Sequence, residues 1–122
     1  MESSDVARWM DAYRDAWVSN VPAQVAALFT EDAAFASEAF QPPWQGRDEI
    51  VRRWTAGIKQ DVEMTYEVLA TEGDLALVHW HVFTRNAGDP IRTEYDGVIV
   101  LRFAEDGRCR DHREWFFRRE LR

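Results

Sequence analysis

Residues Leu75–Phe83 read Leu-Ala-Leu-Val-His-Trp-His-Val-Phe. Successive side chains of a strand point to opposite faces. Leu77, His79, His81 and Phe83 therefore share one face, and Val78, Trp80 and Val82 share the other. Both faces carry large apolar groups, so the stretch is predicted to be a central strand covered on both sides. Two imidazoles on one face of such a strand need a polar partner or a polar purpose, because burying a ring nitrogen without a hydrogen bond costs about 1–3 kcal/mol.

Three further strands are predicted around it. Residues 62–71 alternate, with Val62, Met64, Tyr66 and Val68 on one face and Glu63, Thr65 and Glu67 on the other. Glu72-Gly73-Asp74 supplies a hairpin turn, Gly88 and Pro90 a second, and Glu105-Asp106-Gly107 a third. Residues 91–103 and 108–119 are the remaining strands. Gly97 inside a strand signals a bulge or a close approach of another chain segment.

The N-terminal half reads as helix. Ser3, Ser4 or Asp5 is suited to cap a first helix. Val6, Trp9, Met10, Tyr13, Ala16 and Trp17 form its apolar stripe at i, i+3, i+4, i+7 spacing. Pro22 opens a short second helix to about Phe29, and a third runs from about Asp48 to Lys59. Between them lies a short extended piece, residues 33–37. The loop that follows carries Phe40, Pro42, Pro43 and Trp44, with the bulk of a lid or rim. Helices first, then antiparallel strands joined by tight turns, give an α+β fold. A strongly twisted, mostly antiparallel sheet wrapped around three helices makes a cone with an apolar interior.

The chain has 122 residues, which fits a single domain over residues 1–122 with one core. Its formal net charge is −7, which disfavours nucleic acid as a partner. Six Arg crowd residues 108–122 and are expected to pair in part with Asp106, Asp111, Glu114 and Glu120. Cys109 is the only cysteine, so no intrachain disulfide forms. No apolar run approaches membrane-span length and the N-terminus lacks signal-peptide character, so a soluble cytoplasmic protein with no membrane partner is expected.

Three strings carry a resemblance to a known family: Val25-Ala26-Ala27-Leu28-Phe29-Thr30-Glu31-Asp32-Ala33, Gln45-Gly46-Arg47-Asp48-Glu49-Ile50, and Gly107-Arg108 with Arg113-Glu114-Trp115-Phe116. With the element order, they make the chain similar, end to end, to the SnoaL-like branch of the nuclear transport factor 2-like superfamily. This implies a cystatin-like α+β roll whose concave sheet face and helices enclose a pocket, and whose convex face often forms a dimer. The superfamily includes ketosteroid isomerases, polyketide cyclases, scytalone dehydratase, epoxide hydrolases and binding proteins without chemistry, so fold alone selects no activity. By the resemblance, Tyr13 falls on the isomerases' oxyanion tyrosine. Their general-base aspartate falls on Ser37 and their second oxyanion acid on Ile99, so one of three catalytic groups matches. The dehydratase's helix-one aspartate falls near Trp17, and no Asp-Arg-Asp spacing supports a limonene-type epoxide hydrolase.

The same alignment implies that His79, His81 and Phe83 point into the cone together with Tyr95, His112, Glu114 and Phe116. All three histidines of the chain would then face one cavity. Histidine suits acid–base work near neutral pH, and a carboxylate two residues away can orient it. His79 or His112 is expected as general base, with Glu114 orienting the ring and Tyr13 donating to a developing oxyanion. His81, Phe83, Tyr95, Phe116, Trp44, Trp17, Trp54 and Phe40 are the expected ligand-binding residues. Three His and one Glu also resemble a metal set, but the expectation is no metal and no cofactor. The expected partner is a small hydrophobic or amphipathic molecule, acted on by isomerisation, dehydration or cyclisation; a binding or sensor domain without chemistry is the alternative. Val78, Trp80, Val82, Val98, Val100, Trp115 and Phe117 are expected on the convex face, as the patch of a homodimer.

Overall fold

A computed structural model describes all residues, Met1–Arg122. In chain order the elements are α1 (Ser3–Ser19), α2 (Pro22–Ala26), β1 (Phe29–Ala36), β2 (Trp44–Gln45), α3 (Arg47–Thr55), β3 (Gln60–Glu72), β4 (Leu75–Asn86), β5 (Arg92–Phe103) and β6 (Cys109–Leu121). The strands form one six-stranded sheet in the order β2-β1-β6-β5-β4-β3. All neighbours are antiparallel except β1 and β6, which run parallel. This is the expected α+β architecture, a mixed sheet curved around three helices, with β4 in its interior. The two-residue strand β2 went unread in the sequence because Trp44 and Gln45 directly follow Pro42-Pro43.

The apolar stripe of α1 is buried as its spacing requires, with Val6, Met10 and Ala16 fully inaccessible. Its cap differs from the expectation. Glu2 is the N-cap, and Asp5 accepts a hydrogen bond from the Glu2 backbone N–H at 2.9 Å, closing a reciprocal capping box. Asn20 ends the helix in the left-handed region (φ 56°), which an Asn tolerates better than most side chains.

The face presented by β4 is the reverse of the expectation. Val78, Trp80 and Val82 are buried against the helices, whereas His79, His81 and Phe83 lie on the outer face. The cause is a register shift in the β3–β4 hairpin. Glu72 pairs with Leu75 and Ala70 with Leu77, but Val68 pairs with Val78, which leaves Leu69 bulged out. Without the bulge Tyr66 would stand opposite His81; with it, Tyr66 stands opposite Trp80. Because strand side chains alternate, one extra residue turns the whole apolar face of β3 toward the other face of β4.

Gly97 marks a close approach. It pairs with Trp80 on one side and Phe116 on the other. A Cβ at this position would lie 2.3 Å from the Trp115 carbonyl oxygen and 2.6 Å from the Phe116 Cβ. Only glycine lets β6 come this near, and two large rings, Trp80 and Phe116, then meet 5.7 Å apart on the inner face.

Candidate functional site

The concave side of the sheet and the helices enclose a cavity of about 460 Å³. The helices α1 and α3 place Tyr13, Trp17 and Trp54 on it, β1 and β2 place Phe35 and Trp44, and β4, β5 and β6 place Trp80, Tyr95 and Phe116. The eight rings form a nearly continuous aromatic wall. Phe35 stacks on Trp44 at 5.2 Å, Tyr13 meets Trp54 edge-on at 5.5 Å, and Tyr95 meets Phe116 at 5.5 Å. Asn20, Ser37, Gln60 and Asn86 add polar groups. Trp17 donates to Gln60 Oε1 at 3.3 Å and Gln60 donates to Asn86 Oδ1 at 2.8 Å, so these amides are held rather than free.

Two charged side chains touch the cavity, Glu114 and Arg53. Arg53 is about half exposed and gives its guanidinium to Glu49 at 3.1 Å. Glu114 is 8% exposed. Its Oε1 accepts from the Tyr13 hydroxyl at 3.0 Å and from His112 Nε2 at 2.7 Å. Both bonds fall on one oxygen; Oε2 takes no donor from the protein. Burial, and after it the Glu114 charge, pushes the Tyr13 hydroxyl well above its ordinary pKa of 10.0, so Tyr13 remains a donor.

His112 is fully inaccessible and stacks on Phe35 with ring centroids 4.2 Å apart. Its Nδ1 has no hydrogen-bond partner. Nε2, hydrogen-bonded to the carboxyl oxygen, carries the ring hydrogen that Glu114 accepts. Trp80 Nε1 is a second buried polar atom without a partner.

Thus Tyr13, His112 and Glu114, read as one group in the sequence, are brought together. Trp17, Trp44, Trp54, Tyr95 and Phe116 line the cavity. Phe40 does not: it is fully exposed, with φ 71°. His79, His81 and Phe83 are also absent from the cavity. His79 Nε2 lies 2.6 Å from Asp96 and His81 Nε2 lies 2.7 Å from Glu94, across the outer face. His81, and then Arg119, hold the Glu94 carboxyl below its ordinary range. Arg92 lies over the Phe83 ring at 4.5 Å. The metal-like set of three His and one Glu is therefore split between the two faces of the sheet and shares no ion. Glu114 does not pair with the arginines of the last strand, whose partners include Asp111, Glu120, Asp74 and Glu94.

Phe35, Trp80 and Arg53 were missed as cavity residues. A signal for Trp80 exists in the acidic residues of β5: Glu94 and Asp96 flank inward-facing Tyr95 and so share the outer face, where cross-strand partners for His79 and His81 belong.

The model of the SnoaL-like domain family matches residues 7–112. This chain belongs to the SnoaL-like domain family. No curated protein sequence matches it. Among solved structures, RV0760c from Mycobacterium tuberculosis is 12% identical with a TM-score of 0.81, over 99% of each chain. A Catenulispora acidiphila protein with a ketosteroid isomerase-like fold, in complex with trimethylamine, is 17% identical with a TM-score of 0.72, over 88% of this SnoaL-like chain and 83% of the other. An LEH-like epoxide hydrolase of M. tuberculosis is 17% identical with a TM-score of 0.72, over 96% and 86% of the two chains. At these identities the SnoaL-like chain shares their fold.

Proposed function

We propose that this SnoaL-like chain encloses a small, largely apolar molecule and moves a proton on it, with Glu114 as the proton acceptor. The observation that carries this reading is a buried carboxylate held by Tyr13 and His112 through one oxygen, with its second oxygen unpaired, in an aromatic cavity. Glu114 is only 8% exposed among these rings, and the low local polarity strengthens each of its polar contacts. Isomerisation, dehydration and cyclisation all need a base so placed. In this reading His112 positions Glu114 and does not itself reach the substrate. Solved relatives, one in complex with trimethylamine and one described as an epoxide hydrolase, support a small-molecule role.

The second reading is a binding domain without chemistry. It is favoured by the absence of a second carboxylate or a histidine on the cavity wall to return the proton. Mass spectrometry of a compound that co-purifies with the protein, followed by assay of its turnover, separates the two. Under the enzyme reading, Glu114→Gln lowers turnover by about a hundred- to ten-thousandfold and shifts affinity less. If the wild type turns over no compound that it binds, the binding reading stands.

The outer sheet face is the surface we propose for self-association. Phe117 is 88% exposed and Trp115 is 52% exposed, beside half-buried Val98 and Val100. Two large rings on one solvent-facing sheet are more apolar surface than isolated exposed residues present. Val78, Trp80 and Val82 take no part, because they face the cavity side.

A further inference from the structure

We propose that the molecule this cavity takes is an organic cation, an aryl- or alkylammonium, with Glu114 as its counter-ion and the surrounding rings as its cage. The inference rests on the reading of the cavity as a small-molecule site and specifies the ligand's charge. Two observations of the wall carry it.

The first is the density of π-faces. Eight of the sixteen lining residues are aromatic, four of them Trp. Apolar ligands need area, which Leu, Ile or Val supply equally well; Ile58 is the only aliphatic side chain of that kind here. Rings add a negative face, and among aromatic side chains Trp attracts a cation most strongly. A wall chosen for apolar contact alone has no reason to be so uniformly aromatic.

The second is the charge inside. Glu114 is 8% exposed, takes hydrogen bonds from Tyr13 and His112 on Oε1 alone, and has Oε2 open. Isolated buried charges are costly and are ordinarily paired. The protein supplies hydrogen bonds to Glu114 but no Arg or Lys: Arg53 is committed to Glu49 at the more exposed end. A ligand cation completes the pair. The net charge of −7 attracts cations from solution in the same direction.

A positive nitrogen also acidifies the C–H bonds that adjoin it, so the ligand class is compatible with Glu114 acting as a base.

The test compares two molecules of the same shape that differ in charge, 3-hydroxyphenyltrimethylammonium and 3-tert-butylphenol. Each is titrated into the wild-type protein by calorimetry, with tryptophan fluorescence as a second signal. The ammonium compound is expected to bind at least about tenfold more tightly, the scale of a desolvated cation–π contact with a counter-ion. In Glu114→Gln, which keeps an oxygen for Tyr13 and His112, the preference for the cation is expected to fall while the phenol's affinity changes little. Equal or tighter binding of the phenol by the wild type overturns the cation inference and leaves the small-molecule reading standing, as does an unchanged preference in Glu114→Gln. Binding of neither compound overturns both.

Discussion

Tyr13 in the first helix donates a hydrogen bond to Glu114 in the last strand, at 3.0 Å between side chains 101 residues apart in sequence. The contact ties α1 to β6 through the cavity wall and fixes which oxygen of the carboxylate stays open. Tyr13→Phe removes the donor and keeps the ring. A hydrogen bond to a charged group is worth about 1.5–3 kcal/mol, and urea unfolding is expected to show a loss of that size. If the unfolding midpoint is unchanged, Glu114 is not held as described.

Tyr13 and Tyr66 make alkaline stability a second test. Burial first, then Asp11, raises Tyr66 to about 12, and burial first, then Glu114, raises Tyr13 well above 10.0. A raised pKa in the folded state means stability that is complete below the unfolded value, near 10.0, and is lost as pH rises above it. Tyr66 is half-buried and Tyr13 buried, so the greater share of the slope belongs to Tyr13. Denaturant midpoints between pH 9 and 12 are expected to fall with pH in the wild type and to fall less in Tyr13→Phe. Parallel curves for the two proteins would refute the assignment.

Gly97→Ala places a methyl group 2.3 Å from a backbone carbonyl oxygen, and the neighbouring atoms belong to Phe116 in the adjacent strand. Neither can swing aside without parting β5 from β6. Overpacking of this kind costs about 1–3 kcal/mol or more. Calorimetric melting is expected to show a marked drop, and a variant as stable as the wild type would mean the two strands separate freely.

Trp115→Glu and Phe117→Glu change the outer face without touching the cavity. Light scattering is expected to report dimers for the wild type at tens of micromolar, the range where even a weak interface associates, and monomers for the double variant. A wild-type monomer at that concentration rules out self-association through this face. Trp80→Glu is expected to unfold the protein instead, because Trp80 is 2% exposed on the inner face.

Deletion of Leu69 joins Val68↔Val78 directly to Ala70↔Leu77 in an uninterrupted ladder. Every inward side chain of β4 keeps its face, so the variant is expected to fold with native-like near-ultraviolet circular dichroism. Loss of that signal would mean the bulge is needed for more than register.

The sequence by itself determined the order and type of the elements, because periods of 3.6 and 2 are local properties. Val6, Trp9, Met10 and Tyr13 mark one helix face, and Met64 and Tyr66 one strand face, whatever lies opposite. It also placed His112 and Glu114 together, since two residues of one strand separated by a single neighbour share a face in any register. What tertiary structure alone decided was the orientation of β4. With large apolar groups on both sides of Leu75–Phe83, alternation cannot rank them, and the deciding event is one bulged residue, Leu69, in the neighbouring strand. That bulge sends His79 and His81 to carboxylates on the outer face and brings Trp80 into the cavity. Gly97, two strands from β3, makes the room for it. The unpaired oxygen of Glu114 was likewise settled only in three dimensions, because Tyr13 and His112 reach the same oxygen from different elements.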